Sequence, residues 1–178
     1  MTDTPMKKIL FIGDSLIEFL DWSSKFPEHD IANLGISGET VAGLLSRLGG
    51  IIRKCPSADL IFIMTGINNV AMEDFDFLDS YLNVVEQLVS AYPQGRIFIH
   101  SLLPTLLPWV GNSSIQEVNR SLARIAEEKG TGYIDLYSRF VNEKGGPVKE
   151  YLLPDGVHLS DRGYAVWAEA IEGTIKQD

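Results

Sequence analysis

Three residue types suffice for nucleophilic acyl chemistry, and Ser15, His158 and Asp155 are candidates for them. A serine hydroxyl is a weak nucleophile until a histidine takes its proton, and that histidine needs a carboxylate to hold its tautomer and stabilise the imidazolium. The three-residue step from Asp155 to His158 can be closed by one turn of chain, so the carboxylate can reach the imidazole locally. An oxyanion formed by attack on an acyl carbon also needs donors. The Ser15 N–H at a helix start, the Gly38 N–H and the Asn68 side-chain amide are the candidates.

These residues fall in four glycine-bearing turns: Gly13-Asp14-Ser15-Leu16, Gly35-Ile36-Ser37-Gly38, Gly66-Ile67-Asn68-Asn69 and Asp155-Gly156-Val157-His158. The first three each follow a short apolar run, and in an open parallel sheet the ligand site lies beyond the carboxyl ends of the strands. The runs are Lys8 to Ile12, Asp30 to Asn33, Leu60 to Met64, Arg96 to His100 and Tyr133 to Asp135, which implies five strands. Between them, Leu78, Tyr81, Leu82, Val85, Leu88 and Val89 recur at helical spacing, as do Ile115, Val118, Leu122 and Ile125. A last helix is expected from Ser160, whose hydroxyl can cap it, with Tyr164, Ala168, Ile171 and Ile175 on one stripe. Strands alternating with helices predict an α/β fold with a parallel sheet covered on both faces.

Two stretches fit neither period. Leu102 to Gly111 carries Leu103, Leu106, Leu107, Trp109 and Val110 but also Pro104 and Pro108, so it is expected to be a loop with exposed apolar groups. Leu106, Leu107 and Trp109 could line an acyl pocket, cover the core or make a dimer contact, and Leu16 and Asn69 are further pocket candidates. Asn142 to Gly156 is a second long loop.

The 178 residues, 45% hydrophobic and 22% charged, exclude a disordered tail and a collagen-like repeat. A chain of this length can bury roughly 70% of its unfolded surface, so one domain spanning residues 1–178 is expected. Lys and Arg number 15 against 24 Asp and Glu, a formal charge of -9, which disfavours nucleic acid and anionic membranes. The single cysteine, Cys55, excludes an internal disulfide and a cysteine-rich zinc site. Apolar Ile9 to Ile12 is too short for an export signal and no run approaches about 20 apolar residues, so a cytoplasmic protein with no membrane span is expected.

Other chemically able residues have structural readings. Asp14 adjoins the nucleophile and cannot easily reach round to His158. Ser37 is a turn residue, Cys55 a small buried filler and His29 a surface residue. His100 ends the fourth run at the functional edge, where it either touches substrate or is a hydrogen-bonded core histidine.

The four blocks, in order from Gly13 to His158, resemble those of the SGNH hydrolase superfamily, the GDSL esterases and lipases. Asn33-Leu34-Gly35 with Gly38-Glu39-Thr40, and Gly66-Ile67-Asn68-Asn69, are most similar to platelet-activating factor acetylhydrolase-like members. The resemblance implies a flavodoxin-like three-layer α/β/α sandwich with five parallel strands and no metal or organic cofactor. It also implies Ser15 as nucleophile, Asp155 and His158 as its partners, and Gly38 and Asn68 as oxyanion donors. Its substrate would be a small carboxylic ester with a short acyl group. Asn69 departs from the commoner pattern, in which Asp stands at that position.

Rival readings meet specific residues. A receiver domain needs an acidic residue where Thr65-Gly66 stands, and the Gly-x-Ser-x-Gly elbow of α/β-hydrolases fails at Ile17. A thioesterase or lysophospholipase on the same fold, a catalytically silent ligand-binding module and a homodimer all stay open.

Overall fold

The computed structural model describes residues 5–177. Five strands, β1 (Lys8–Gly13), β2 (Asp30–Gly35), β3 (Leu60–Met64), β4 (Arg96–His100) and β5 (Gly132–Ile134), form one sheet in the order β2-β1-β3-β4-β5. Every neighbouring pair is parallel. Parallel strands need crossover connections, and these are helical here.

Seven α-helices are present among the described residues: α1 (Ser15–Glu18), α2 (Trp22–Lys25), α3 (Val41–Lys54), α4 (Ile67–Ala71), α5 (Leu78–Ala91), α6 (Asn112–Lys129) and α7 (Asp161–Lys176). Helix α5 packs against both α3 and α6 on one side of the sheet. On the other side, α2 and α7 meet through the edge-on contact of Trp22 and Trp167, 5.1 Å between ring centroids. This is the expected three-layer α/β/α sandwich. The expected cap of α7 is present, with Ser160 Oγ accepting the Gly163 N–H at 3.3 Å. Helix α3 carries a buried stripe of Val41, Leu44, Leu48 and Ile51, but Gly43, Gly49 and Gly50 within it weaken the helical signal in the sequence.

The core under α2 and α7 is aromatic. Phe11, Phe62 and Phe98 occupy facing positions of β1, β3 and β4 and stack at 5.2 and 5.3 Å. Phe11 also stacks on Trp22 at 4.1 Å. Such ring pairs contribute about 0.5–1.5 kcal/mol each beyond their buried area.

Two expectations about histidines are corrected here. His29 is buried rather than at the surface, its Nδ1 accepting the Lys7 N–H at 3.3 Å beside the start of β2. His100 is fully buried, stacked on Phe62 at 5.6 Å and met edge-on by Trp167 at 5.5 Å. Among the described residues neither of its ring nitrogens has a hydrogen-bond partner, and its full burial keeps it from the cavity, so it is neither a substrate contact nor a hydrogen-bonded core residue. Burial pushes its pKa down to about 3 and keeps the imidazole neutral.

The register brings the strand ends that matter into line, for Gly13 at the end of β1 faces Gly35 of β2 and Met64 of β3. Only glycine fits at 13, where a Cβ would lie 1.9 Å from the Met64 carbonyl oxygen. The close approach places the turns after β1, β2 and β3 side by side.

Candidate active site

Residue 15 opens α1 directly beyond β1. Asp14 caps this helix, its Oδ1 accepting the Leu16 N–H at 3.1 Å, and this leaves the Ser15 N–H uncommitted among the described residues. The Asp14 carboxyl is fully buried, and among the described residues its Oδ2 has no partner. Burial is the main reason that its pKa is pushed up to about 7, with the Glu39 charge adding to it against the Leu16 hydrogen bond. The bond to the Leu16 N–H gives Asp14 a structural role as the cap of α1.

His158 comes to Ser15 from the loop before α7. Its Nε2 lies 3.0 Å from Ser15 Oγ and its Nδ1 lies 2.7 Å from Asp155 Oδ2. The other carboxylate oxygen, Asp155 Oδ1, accepts the N–H groups of Val157 and His158, both at 2.9 Å. The turn is closed by the Leu153 N–H donating to the His158 carbonyl at 2.7 Å and the Gly156 N–H donating to the Leu153 carbonyl at 2.9 Å. Partial burial opposes ionisation of Asp155, but hydrogen bonds from Val157 N–H, the His158 ring and His158 N–H, with the imidazole charge, hold its pKa below the usual carboxylate value. Phe19, four residues after Ser15, sets its ring 5.0 Å from the imidazole.

On the opposite side of Ser15, the chain leaves β2 through a turn in which the Glu39 N–H donates to the Ile36 carbonyl at 3.2 Å. Gly38 within it has φ +73°, a conformation that favours glycine. Among the described residues its N–H donates to no protein group. Glu39 forms a two-point ion pair with Arg47, whose Nε and Nη2 lie 2.6 Å from its two carboxylate oxygens. The same Nη2 donates to the Leu34 carbonyl at 2.8 Å, so the pair braces the end of β2. From α4, Asn68 Nδ2 donates to the Glu39 carbonyl at 2.9 Å. One N–H of that amide is thereby held, and the other is available to the cavity.

Ser15, Gly38, Asn68, Asp155 and His158 line one cavity of about 370 Å³, with Phe19, Ser37, Ile67, Ala71, Leu107 and Val157 completing its wall. Four pocket candidates are corrected. Leu16 is buried in the core, and its carbonyl accepts the Tyr164 hydroxyl at 3.0 Å. Asn69 is buried too: its Oδ1 accepts the Val41 N–H at 3.0 Å and its Nδ2 donates to Asp74 Oδ2 at 2.7 Å. It orders α3 and the segment after α4 and does not line the cavity. Leu106 lies outside the wall and backs the turn, its N–H donating to the Gly156 carbonyl at 2.8 Å. Trp109 is 60% exposed, with its indole N–H directed to the Ala71 carbonyl. Within the same loop Leu102, Leu103 and Val110 are buried, and Leu107 is the residue that faces the cavity.

Sequence reasoning missed Glu18, Phe19, Arg47 and Val157. The signal for Phe19 was present, since residues four apart on a helix share a face. The Glu39–Arg47 pair joins the residue before the α3 cap to the second turn of that helix, and the conformation of the residue outside the helix cannot be read from spacing. Another cavity, of about 410 Å³ between α6 and the β5 edge, is lined by Arg120, Tyr133 and Tyr137; its Ser138 hydroxyl donates to Asp135, and no histidine lines it. Among the described residues no group of three or more His, Cys, Asp and Glu side chains could share a metal ion, and no helix is long and apolar enough to cross a membrane.

Sequence comparison adds a decisive observation: the profile of the GDSL-like lipase/acylhydrolase family matches residues 11–166. The chain belongs to that family. It is a carboxylic ester hydrolase of the SGNH superfamily, and the fold is shared widely with solved relatives. A Streptococcus pneumonia protein provisionally named a platelet activating factor superposes with a TM-score of 0.87 at 25% identity, covering 96% of this chain and 84% of that one. The acetylxylan esterase Axe2 of Geobacillus stearothermophilus gives 0.76 at 25% identity, covering 98% and 96%. A lipase/acylhydrolase of Enterococcus faecalis gives 0.76 at 22% identity, covering 97% and 96%. No curated protein matches the sequence.

Proposed function

We propose that this GDSL-family hydrolase cleaves short-chain carboxylic esters through an acyl-enzyme on Ser15. The observation that carries the reading is the unbroken hydrogen-bonded line from Asp155 through His158 to Ser15 Oγ, at 2.7 and 3.0 Å, ending in a cavity that also holds Gly38 and Asn68. His158 Nε2 takes the Ser15 proton as Oγ attacks the acyl carbon, and Asp155 stabilises the imidazolium. The carbonyl oxygen becomes negative and is met by the N–H groups of Ser15 and Gly38 and the free N–H of Asn68. The tetrahedral adduct collapses, breaking the bond to the alkoxy oxygen, which leaves as the alcohol with the proton from His158. Water then attacks the acyl-enzyme with His158 again as base, releasing the acid and restoring Ser15.

The apolar part of the wall, Ile67, Ala71, Leu107 and Val157, suits a hydrocarbon acyl group. The name of Axe2 as an acetylxylan esterase, at 25% identity, agrees with an acetyl-sized acyl group. Two experiments test the proposal together. A fluorophosphonate should label Ser15 and no other residue, and kcat/KM over esters from acetyl to decanoyl should be greatest at the short end. Absence of labelling would overturn the mechanism, and a maximum at decanoyl would overturn the acyl class.

A further inference from the structure

The oxyanion turn of this protein has little to hold it in place by packing. Ile36, Ser37 and Gly38 are all exposed, and a Cβ built on Gly38 would meet no atom within 4 Å. Positive φ at Gly38 adds a residue with wide conformational freedom at the point where a donor must be aimed. At the base of the turn, the Ile36 N–H donates to the Gly13 carbonyl at 2.9 Å. Asn68 holds the Glu39 carbonyl where the turn ends, and among the described residues the side chain bonded to Ser37 at its tip is that of Glu18. Glu18 Oε2 accepts the Ser37 N–H at 2.7 Å and also the Ser37 hydroxyl.

Glu18 is itself well placed to act as a spacer. It lies one helical turn after Ser15 in α1, its N–H donating to the Asp14 carbonyl at 3.0 Å. Its carbonyl accepts Asn33 Nδ2 from β2 at 3.2 Å, and the same amide reaches the Ile17 and Leu20 carbonyls, both at 3.0 Å. The backbone that carries Glu18 is therefore bound to both the nucleophile helix and the strand from which the oxyanion turn emerges. A carboxylate near a developing oxyanion would raise the energy of that oxyanion unless its charge were engaged. Here it is engaged by two donors of Ser37.

We propose that Glu18 is a positioning residue that sets the distance between the Ser15 nucleophile and the Gly38 N–H by clamping Ser37, the residue before that donor. The proposal rests on the ester-hydrolase reading of the same cavity and adds to it a determinant outside the Ser15–His158–Asp155 line. Removing an oxyanion donor outright costs about 10²- to 10³-fold in kcat, so loosening one should cost less, about tenfold. The loss should fall on kcat because the donor is used mainly when the oxygen is negative.

The test compares the wild-type chain with Glu18→Ala and Glu18→Gln, using an acetyl ester and hydrogen exchange of the 36–39 segment. Glu18→Ala should lower kcat about tenfold with KM within about twofold, and should speed exchange in that segment. Glu18→Gln keeps an oxygen that can accept the Ser37 N–H, and it should restore kcat to within about threefold of wild type and slow the exchange again. Equal kcat for wild type and Glu18→Ala would overturn the proposal. So would equal losses in Glu18→Ala and Glu18→Gln with unchanged exchange. If Glu18→Ala fails to fold, Glu18→Gln and Glu18→Asp carry the same comparison, and unchanged exchange in Glu18→Asp with kcat lost would count against the clamp. An inactive, unlabelled wild type would instead strike the hydrolase reading, while the exchange data still decide whether Glu18 holds the turn.

Discussion

Two buried titratable groups with opposite protonation preferences should nearly cancel in the pH dependence of stability. Asp14 has its pKa raised by burial from 3.8 to about 7, so folding takes up a proton between those values. The stability it contributes is fully present below about 3.8 and is lost as the pH rises through 7. His100 has its pKa lowered by burial from 6.5 to about 3, so folding releases a proton in nearly the same window. Its stability is fully present above about 6.5 and is lost as the pH falls towards 3. From about pH 4 to 6.5 the two proton counts offset each other, and these groups should leave wild-type stability nearly flat. Each substitution should expose the other group. In Asp14→Asn, stability should climb with pH at up to about 1.4 kcal/mol per unit, or roughly 3 kcal/mol over the window. In His100→Leu it should fall by a similar amount. At about 2–4 °C per kcal/mol for a domain of this size, the Tm trend should span about 6–12 °C in each variant, with opposite signs. Thermal unfolding of the three proteins from pH 4 to pH 8 measures this. Asn at position 14 retains an oxygen for the Leu16 N–H, so a constant offset is uninformative and the slope is the readout. Parallel slopes in wild type and Asp14→Asn would refute the assignment of a buried, neutral Asp14.

Three further outcomes follow from the site. Ser15→Ala and His158→Ala should each lower kcat by several orders of magnitude, and the double variant by little more than either, because the two act as one unit; additive losses in the rate assay would count against that. Asn68→Ala should lower kcat by about 10²- to 10³-fold with KM nearly unchanged, whereas Asn69→Asp should act chiefly on stability, bringing a second carboxylate against Asp74 in place of the 2.7 Å bond, which calorimetry would show as a lower Tm. Leu107→Ala should reduce kcat/KM for longer esters more than for acetate, at about 0.8 kcal/mol for each acyl methylene that is no longer buried, and Trp109→Ala should affect all chain lengths alike in the ester panel.

The parts of this protein written in short-range pattern were legible before the structure. Strands β3 and β4 begin and end where their apolar runs do, because buried parallel strands are apolar on both faces. The Ser160 cap and the Asp155-to-His158 turn are local hydrogen-bonding problems with few solutions. What escaped was set by tertiary packing. Exposure of Trp109 and burial of Leu103 in one loop depend on which side faces α4 and the sheet, and no periodicity encodes that. His29 and His100 look like ordinary polar residues in sequence, and only the three-dimensional neighbours reveal one beside the start of β2 and the other between two aromatic rings. Asn69 is the instructive case. Adjacency to Asn68 suggested a place in the pocket, but consecutive residues on α4 point in different directions, so Asn69 bonds to Val41 and Asp74 while Asn68 bonds to Glu39.

Because Asp155 and His158 are joined within one self-closed turn, only one contact in the proposed catalytic line is distant in sequence, the one across 143 positions from His158 to Ser15. A nascent chain emerging from the ribosome can therefore build β1 to β5 around an incomplete centre that has its serine but no base. The acid–base unit is contained in one turn, so a single loop closure can seat it. During refolding, return of the sheet's spectroscopic signal should precede return of turnover, with the interval set by docking of the segment that carries the turn and α7. Turnover is thus a clock for the last tertiary step of folding, whereas loss of that docking alone would silence the enzyme with its sheet intact.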